Sequence, residues 1–302
     1  MNLSRLTARE VAQALRRGGL CIRIGAYTVS IRSSFASVAH NLRLLYSDYP
    51  VDLDAPFADF HVRVERPRNL RRWFAPQAIF RIDNYVPFKP LPADQAFPLL
   101  EWGLNWCIST QFHRYLVIHG AVLEKNGRAL LLPAPPGSGK STLCAALANR
   151  GWRLLSDELT LVEPETLRII PMCRPVSLKN QSIDIIRDFD PAVAMGPSAF
   201  DTTKGTVAHM KAPVAAVLRS EEAATPAWVV FPKFEAGAET TLSEHPKASA
   251  FMKLADNTFN YSMLGAQGFD ALSQLIDQCD CHNFHYSQLD EAIALFDRLA
   301  SR

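Results

Sequence analysis

The chain has 302 residues, 48% of them hydrophobic and 21% charged, with 32 basic against 30 acidic side chains and a formal net charge of +2. That length and apolar fraction allow one large domain or two ordinary ones with a real core, and the near-neutral balance excludes a global field aimed at nucleic acid or an anionic membrane. No apolar run approaches the roughly 18 residues of a spanning helix, the stretch MNLSRLTARE lacks the apolar core of a signal peptide, and the six scattered cysteines suit a reduced, cytoplasmic setting.

In chain order, CIRI and YTVSIR flank Gly25-Ala26 as a hairpin would. Apolar residues at helical spacing predict a helix over 35–46, and FADFHVRVERP and AIFRIDNYVPF read as strands. Otherwise the first 95 residues read as short strands and turns. Between Arg63 and Arg72 the segment holding ERPRNLRR concentrates basic residues beside Trp73 and Phe74; a solvated strand edge is the plain reading, a grip on an acidic partner the other. The prolines of YVPFKPLPADQAFP disfavour helix and mark a boundary near residue 95. We therefore expect an N-terminal α+β domain over 1–95 and a second domain over 96–302.

The second part opens with a helix over 94–112. YLVIHGAVLEK follows as a strand, then a turn at Asn126-Gly127 and the strand RALLLPA. STLCAALAN has helix-forming composition and ends before Gly151. WRLLSDELTLV is a strand interrupted by a polar, acidic triplet. AAVL and AWVVFPKF read as further strands, and helices are expected near 249–254, 269–277 and 289–299.

The stretch that carries chemistry is LLPAPPGSGKSTL, Leu131 to Leu143. A strand, a glycine-containing turn, Lys-Ser and a helix form the order needed to wrap a phosphate in backbone amides and to place a helix dipole behind it. Pro136, Gly137, Ser138, Gly139, Lys140, Ser141 and Thr142 are the expected nucleotide contacts, with Lys140 on the outer phosphates and Ser141 on Mg²⁺. The loop's usual first glycine is replaced by Ala134. Asp157 and Glu158 follow Lys140 by only 17 and 18 positions. A right-handed crossover returns them to the same sheet edge as the loop, where one carboxylate can hold Mg²⁺ while the other accepts a proton from an attacking hydroxyl. His119 is expected on the strand beside the one feeding the loop, as a phosphate or acceptor contact. Cys279, Cys281, His282 and His285 form a compact CDCHNFH cluster of soft-metal ligand types, but without the two-residue gaps of common zinc sites.

These residues resemble a known family. IHG at 118–120, the hairpin, GKST and RGWRLLSDEL at 150–159 are laid out as in HPr kinase/phosphorylase, whose core is similar to that of phosphoenolpyruvate carboxykinase. RPVSLKN, TTKGTVAHM, VVFPKFE and NTFNYSMLGAQGF look like the branch called HPr kinase-related A. The resemblance implies an α/β chain with a P-loop, HPr-kinase-like nucleotide-binding core. It implies an ATP- and Mg²⁺-dependent kinase with Asp157 as base, Ser141, Asp157 and Glu158 at the metal, and His119 beside them. Arg174, Lys179 and Lys204 are candidate cations for the transferring phosphoryl. Glu158 stands where HPr kinase has a second aspartate, and the segment with which HPr kinase grips its protein substrate is not recognisable. The branch's association with ribosomal peptide modification makes a peptide or protein hydroxyl, serine or threonine, the expected acceptor, with a small peptide-recognition protein and a second copy of the chain as expected partners. Two alternatives stay open: a small-molecule kinase, for example of free serine, and a catalytically silent nucleotide-binding scaffold.

Overall fold

A computed structural model describes all residues except Asp54, Arg68, Leu70 to Trp73, Pro136 and Arg302. It is a mixed α/β structure. Its first half holds helix α1 (Ala8–Arg16), β1 (Leu20–Ile24), β2 (Tyr27–Ser33), α2 (Ala36–Leu45), β3 (Val51–Asp52), β4 (Phe60–Glu65), β5 (Gln77–Ile82), β6 (Leu91–Pro92) and α3 (Ala96–Gln111). The six strands form one sheet in the order β3-β1-β2-β4-β5-β6. The hairpin of β1 and β2 is found as expected, with Leu20 opposite Ile31 and Ile24 opposite Tyr27. Helix α1 lies in a stretch read from sequence as strands and turns. Its start is set by a capping box, in which the Thr7 hydroxyl accepts from the Glu10 amide while the Glu10 carboxylate accepts from the Thr7 amide. Helix α3 follows the expected boundary at residue 95, yet it packs on β4 and β5 of the first sheet, setting Gly103 against the Phe80 ring.

The second half continues with β7 (Leu116–His119), β8 (Ala121–Lys125), β9 (Arg128–Leu132), α4 (Lys140–Asn149), β10 (Arg153–Ser156), β11 (Leu159–Val162), β12 (Ile169–Ile170), β13 (Val176–Lys179) and α5 (Gln181–Phe189). Then come β14 (Ala199–Thr202), β15 (Gly205–Met210), α6 (Val214–Leu218), β16 (Thr225–Phe234), β17 (Thr241–Glu244), α7 (Lys247–Asp256), α8 (Tyr261–Gln278), β18 (Asp280–Tyr286) and α9 (Leu289–Ala300). AAVL is thus the end of a short helix and not a strand. Pro213 stands just before that helix, where a missing amide proton costs nothing.

The central sheet runs β10-β8-β9-β16-β18-β17. β16 is parallel to β9 and to β18, and β10 and β9 flank β8 antiparallel. Strands β10, β9, β16 and β18 therefore all end at one edge. The sheet is covered on both faces, which explains why Ala129 to Leu132 are apolar without alternation. Leu130 and Leu132 join a core with Leu143 and Leu147 of α4, whereas Ala129 and Leu131 join another with Leu272 and Leu275 of α8. YLVIHGAVLEK is two strands, broken at Gly120, where a Cβ would lie 3.2–3.3 Å from backbone atoms of Leu132 and Pro133. β7 consequently leaves the central sheet for a separate one in the order β12-β11-β7. No helix among the described residues is long and apolar enough to cross a membrane.

Candidate functional site at the carboxyl edge of the central sheet

Strand β9 delivers the glycine-rich loop to the edge where β10, β16 and β18 also end. Gly137 and Gly139 take left-handed conformations, with φ of 87° and 85°. At Gly139 no other residue fits, since a Cβ would stand 2.5 Å from the Tyr286 hydroxyl and 2.7 Å from Phe234 Cβ. Ala134, by contrast, is buried and does not have a positive φ, so its methyl group meets no backbone strain. The turn is cut by the two later glycines, and Ala134 simply fills space behind them. Pro136 lies outside the described residues.

Neighbouring strands hold the loop from above. The Tyr286 hydroxyl donates to the Gly139 carbonyl at 3.0 Å, and the Phe234 amide donates to the Ser138 carbonyl at 2.9 Å. Both tie down carbonyls and leave the amides alone. Helix α4 begins at Lys140, and the first amides of any helix have no partner within it. They carry the positive end of the helix dipole, which suits an anion. The Ser138 hydroxyl is buried without a partner. Thr142 donates to the Ser182 hydroxyl of α5 at 2.8 Å. A cleft of about 830 Å³ opens beside Gly137, Gly139 and Thr142, toward Lys179, Phe189 and Leu289.

The acidic pair lies between β10 and β11, which belong to different sheets. The Leu159 amide donates to the Ser156 hydroxyl at 3.1 Å and closes the tight turn that projects Asp157 and Glu158. Asp157 is buried; its Oδ2 accepts the Ser177 amide of β13 at 3.2 Å, and its Oδ1 has no partner. Burial and the adjacent Glu158 push its carboxyl up to about 6, against the pull of Lys140, the Ser177 amide and the Ser141 hydroxyl. For Glu158 burial acts in the same sense, but the lysines Lys140, Lys179 and Lys204 outweigh it and hold the group below the ordinary carboxylate value. Two adjacent carboxyls are thereby driven apart, the pattern of an acid/base division of labour.

His119 reaches this pair by a route other than the expected one. Its strand pairs with β11, opposite Leu159, and not with the strand feeding the loop. Gly120 carries its amide to the Glu158 carbonyl at 3.1 Å, which places the histidine beside the acids. Burial and Lys140 lower the His119 pKa, so its half-buried ring is neutral at pH 7. The Phe259 ring stands 5.9 Å away, while Asn260 is a structural brace that accepts from the Val117 amide and donates to the Tyr115 carbonyl.

The three downstream cations separate. Lys179 and Lys204 act on Glu158, with Lys204 rising from the β14–β15 turn to lie 5.1 Å over the Trp102 ring. Arg174 is buried and engaged elsewhere: it pairs with Glu101 Oε2 at 3.2 Å and donates to Asn105 Oδ1. Its guanidinium is thus taken up by Glu101 and Asn105 where the sequence suggested a phosphoryl contact, while its charge and that of Glu158 still act on each other. Ser177, Phe234 and Tyr286 were not anticipated. Each is an ordinary residue of a strand, and only the pairing of distant strands brings it to the site. At the CDCHNFH cluster, alternation along β18 separates neighbouring side chains, and the described residues contain no group of three metal-ligand types.

No family model matches the chain, and no curated protein matches it in sequence. Among solved structures, that of the HPr(Ser) kinase/phosphatase from Coxiella burnetii aligns over 61% of this chain and 96% of its own, at 13% identity and a TM-score of 0.27. A likeness of that size decides neither fold nor function.

Proposed function

We propose that the chain is an ATP- and Mg²⁺-dependent kinase that transfers the γ-phosphoryl group to a hydroxyl of a peptide or protein. The observation that carries this reading is the buried Asp157, with one oxygen unpartnered and its carboxyl raised to about 6, at the same sheet edge as the Gly137–Ser141 turn. A P-loop core of the HPr-kinase kind over 96–302, with 1–95 as a separate unit, belongs to the same proposal. So do the cytoplasmic setting, the self-association and a small peptide-recognition partner.

The residues present fit the groups implied. Hard oxygen donors suit magnesium, and Ser141 and Glu158 would hold it with Asp157 alongside; the free amides of α4 and Lys140 would take the nucleotide's phosphates. Bound there, Mg²⁺-ATP supplies the phosphoryl donor and neutralises charge on it. Asp157 accepts the proton of the acceptor hydroxyl at Oδ1, since at neutral pH a carboxyl near 6 is mostly ionised yet still basic enough to hold a proton. His119, neutral, orients the acceptor by hydrogen bonding. Lys204 and Lys179 offset the negative charge that gathers around Glu158.

Calorimetric titration of Mg²⁺-ATP into the wild type, Lys140→Ala and Asp157→Asn, with ADP release followed in parallel, tests the reading. Wild type and Asp157→Asn should bind alike within a few-fold, Lys140→Ala should lose binding, and Asp157→Asn should lose release by roughly 10²–10⁴-fold. Wild-type protein that binds no nucleotide would remove the kinase reading altogether. Release that survives in Asp157→Asn would remove Asp157 as the base.

A further inference from the structure

The sheet of the first half has one face covered by α1, α2 and α3, and on its other face three arginines stand side by side. Arg32 of β2 is opposite Arg63 of β4, and Arg63 is opposite Arg81 of β5. Directly paired residues share a face, with Cβ atoms about 5 Å apart, and like charges in that position destabilise the sheet. Two of the three have outlets. Arg32 donates twice to the Gly18 carbonyl, at 2.9 and 3.0 Å; Arg81 pairs with Glu65 at 3.1 Å and donates to the Asn84 carbonyl at 3.2 Å. Arg63, between them and exposed, has no partner among the described residues. It borders a depression of about 420 Å³ in which, among the described residues, Glu65 is the one carboxylate against Arg63, Arg66 and Arg81. The chain as a whole is close to neutral, so this cationic row is local.

We propose that this open sheet face is a docking surface for an acidic polypeptide segment, with Arg63 as its central contact. The chemistry favours carboxylates. A guanidinium takes a carboxylate by two parallel hydrogen bonds, and a row of arginines on adjacent strands repeats at the spacing of neighbouring strands. Single-stranded nucleic acid needs aromatic rings on which its bases stack, and none of the described residues lining the depression is aromatic. Base readout on a double helix needs an element that enters a groove, and the row of arginines lies on strands of a sheet face. This surface is independent of the nucleotide site and does not rest on the kinase reading.

The test uses the full chain and a fluorescein-labelled twelve-residue peptide of alternating Glu and Gly, read by anisotropy at 50 and 200 mM salt. A lysine analogue of the peptide and an oligothymidylate twelve-mer serve as comparisons. The glutamate peptide should bind, more weakly at the higher salt, and Arg63→Glu should weaken it at least tenfold while leaving nucleotide affinity unchanged and the melting temperature no lower than that of the wild type, since the substitution relieves the repulsion from Arg32 and Arg81. Arg63→Lys, which keeps the charge and loses the fork, should weaken it about threefold. Absence of binding, or binding that Arg63→Glu leaves intact, overturns the proposal. An oligothymidylate bound more tightly than the peptide and lost in Arg63→Glu also overturns it, in favour of a nucleic-acid surface.

Discussion

Glu101 and Asp157 are both carboxylates sealed inside the protein, and they are kept there differently. Glu101 is completed: Oε1 accepts from the Tyr46 hydroxyl at 2.7 Å and Oε2 from Arg174 at 3.2 Å. Burial still raises its carboxyl, but Arg174 and Tyr46 oppose that. Asp157 has one backbone amide on Oδ2 and no hydrogen bond on Oδ1, and the adjacent Glu158 adds to the cost of burial against the pull of Lys140. A buried polar atom without a partner costs about 1–3 kcal/mol. Folding alone gives no reason to keep such a group, whereas a ligand or a proton in transit does. Arg174 joins the cluster of Glu101 through its pair with that carboxylate, although its own Nε is buried without a partner.

The largest effect expected from this contrast is on stability. Removing one member of a buried ion pair leaves the other uncompensated, which costs about 3–5 kcal/mol. Arg174→Met should therefore lower the unfolding free energy by that amount in urea titrations, and the double variant Arg174→Met, Glu101→Leu should recover most of it. A loss under about 1 kcal/mol in the single variant would mean that Arg174 is free to serve the site after all.

The second effect is a pH dependence with its sign fixed by the direction of the shift. The folded carboxyl of Asp157 lies at about 6 and its ordinary value at 3.8. A group with a raised folded value destabilises the fold when ionised, in full above pH 6, and the penalty fades as pH falls toward 4. The difference corresponds to about 3 kcal/mol. Asp157→Asn should accordingly be more stable than wild type by about that amount at pH 7 without ligands, and the gap should close by pH 4. Glu158, held below its ordinary value, contributes with the opposite sign, and the repulsion it shares with Asp157 is part of the gap that Asp157→Asn removes. A gap that stays constant between pH 4 and 7 would show that Asp157 is not charged at a cost.

How far the site could be read in advance follows from where its residues lie along the chain. The loop, α4 and the acids are local: Gly137 to Ser141 and Asp157-Glu158 sit on one strand, helix, strand passage, and their relation follows from the handedness of the crossover. Gly151 ends α4 as expected, with φ of 90°. The clamp is not local. Phe234 and Tyr286 reach Gly139 because β16 and β18 run parallel to β9, a fact of topology to which no single stretch testifies. Burial also was not visible, and it decided between Arg174 and Lys204, both basic residues beside a turn. Gly120 is a third case. An alternating apolar stretch reads as one strand, and only the close approach of Leu132 and Pro133 shows why it must break there and send His119 to β11. Helix α1 differs in kind, since the pattern of Thr7 and Glu10 was present in the sequence as a capping box and outweighs the short length of the helix.

The smallest effect concerns the position that most departs from a phosphate-binding loop. If Ala134 had damaged the turn, restoring glycine would release strain and tighten nucleotide binding by a large factor. The structure argues otherwise, because Ala134 is buried without a positive φ while Gly137 and Gly139 take the conformations that only glycine adopts cheaply. Ala134→Gly then removes a buried methyl and loosens the unfolded chain, two changes that each cost about 1 kcal/mol or less. Its Mg²⁺-ATP affinity should stay within about threefold of wild type and its melting point should fall by a few degrees. Gly139→Ala, measured beside it, should lose binding, since its methyl would have to displace Tyr286 or Phe234. A tenfold gain in affinity for Ala134→Gly would reverse this assignment and make Ala134 the residue that holds the loop in a weakened state.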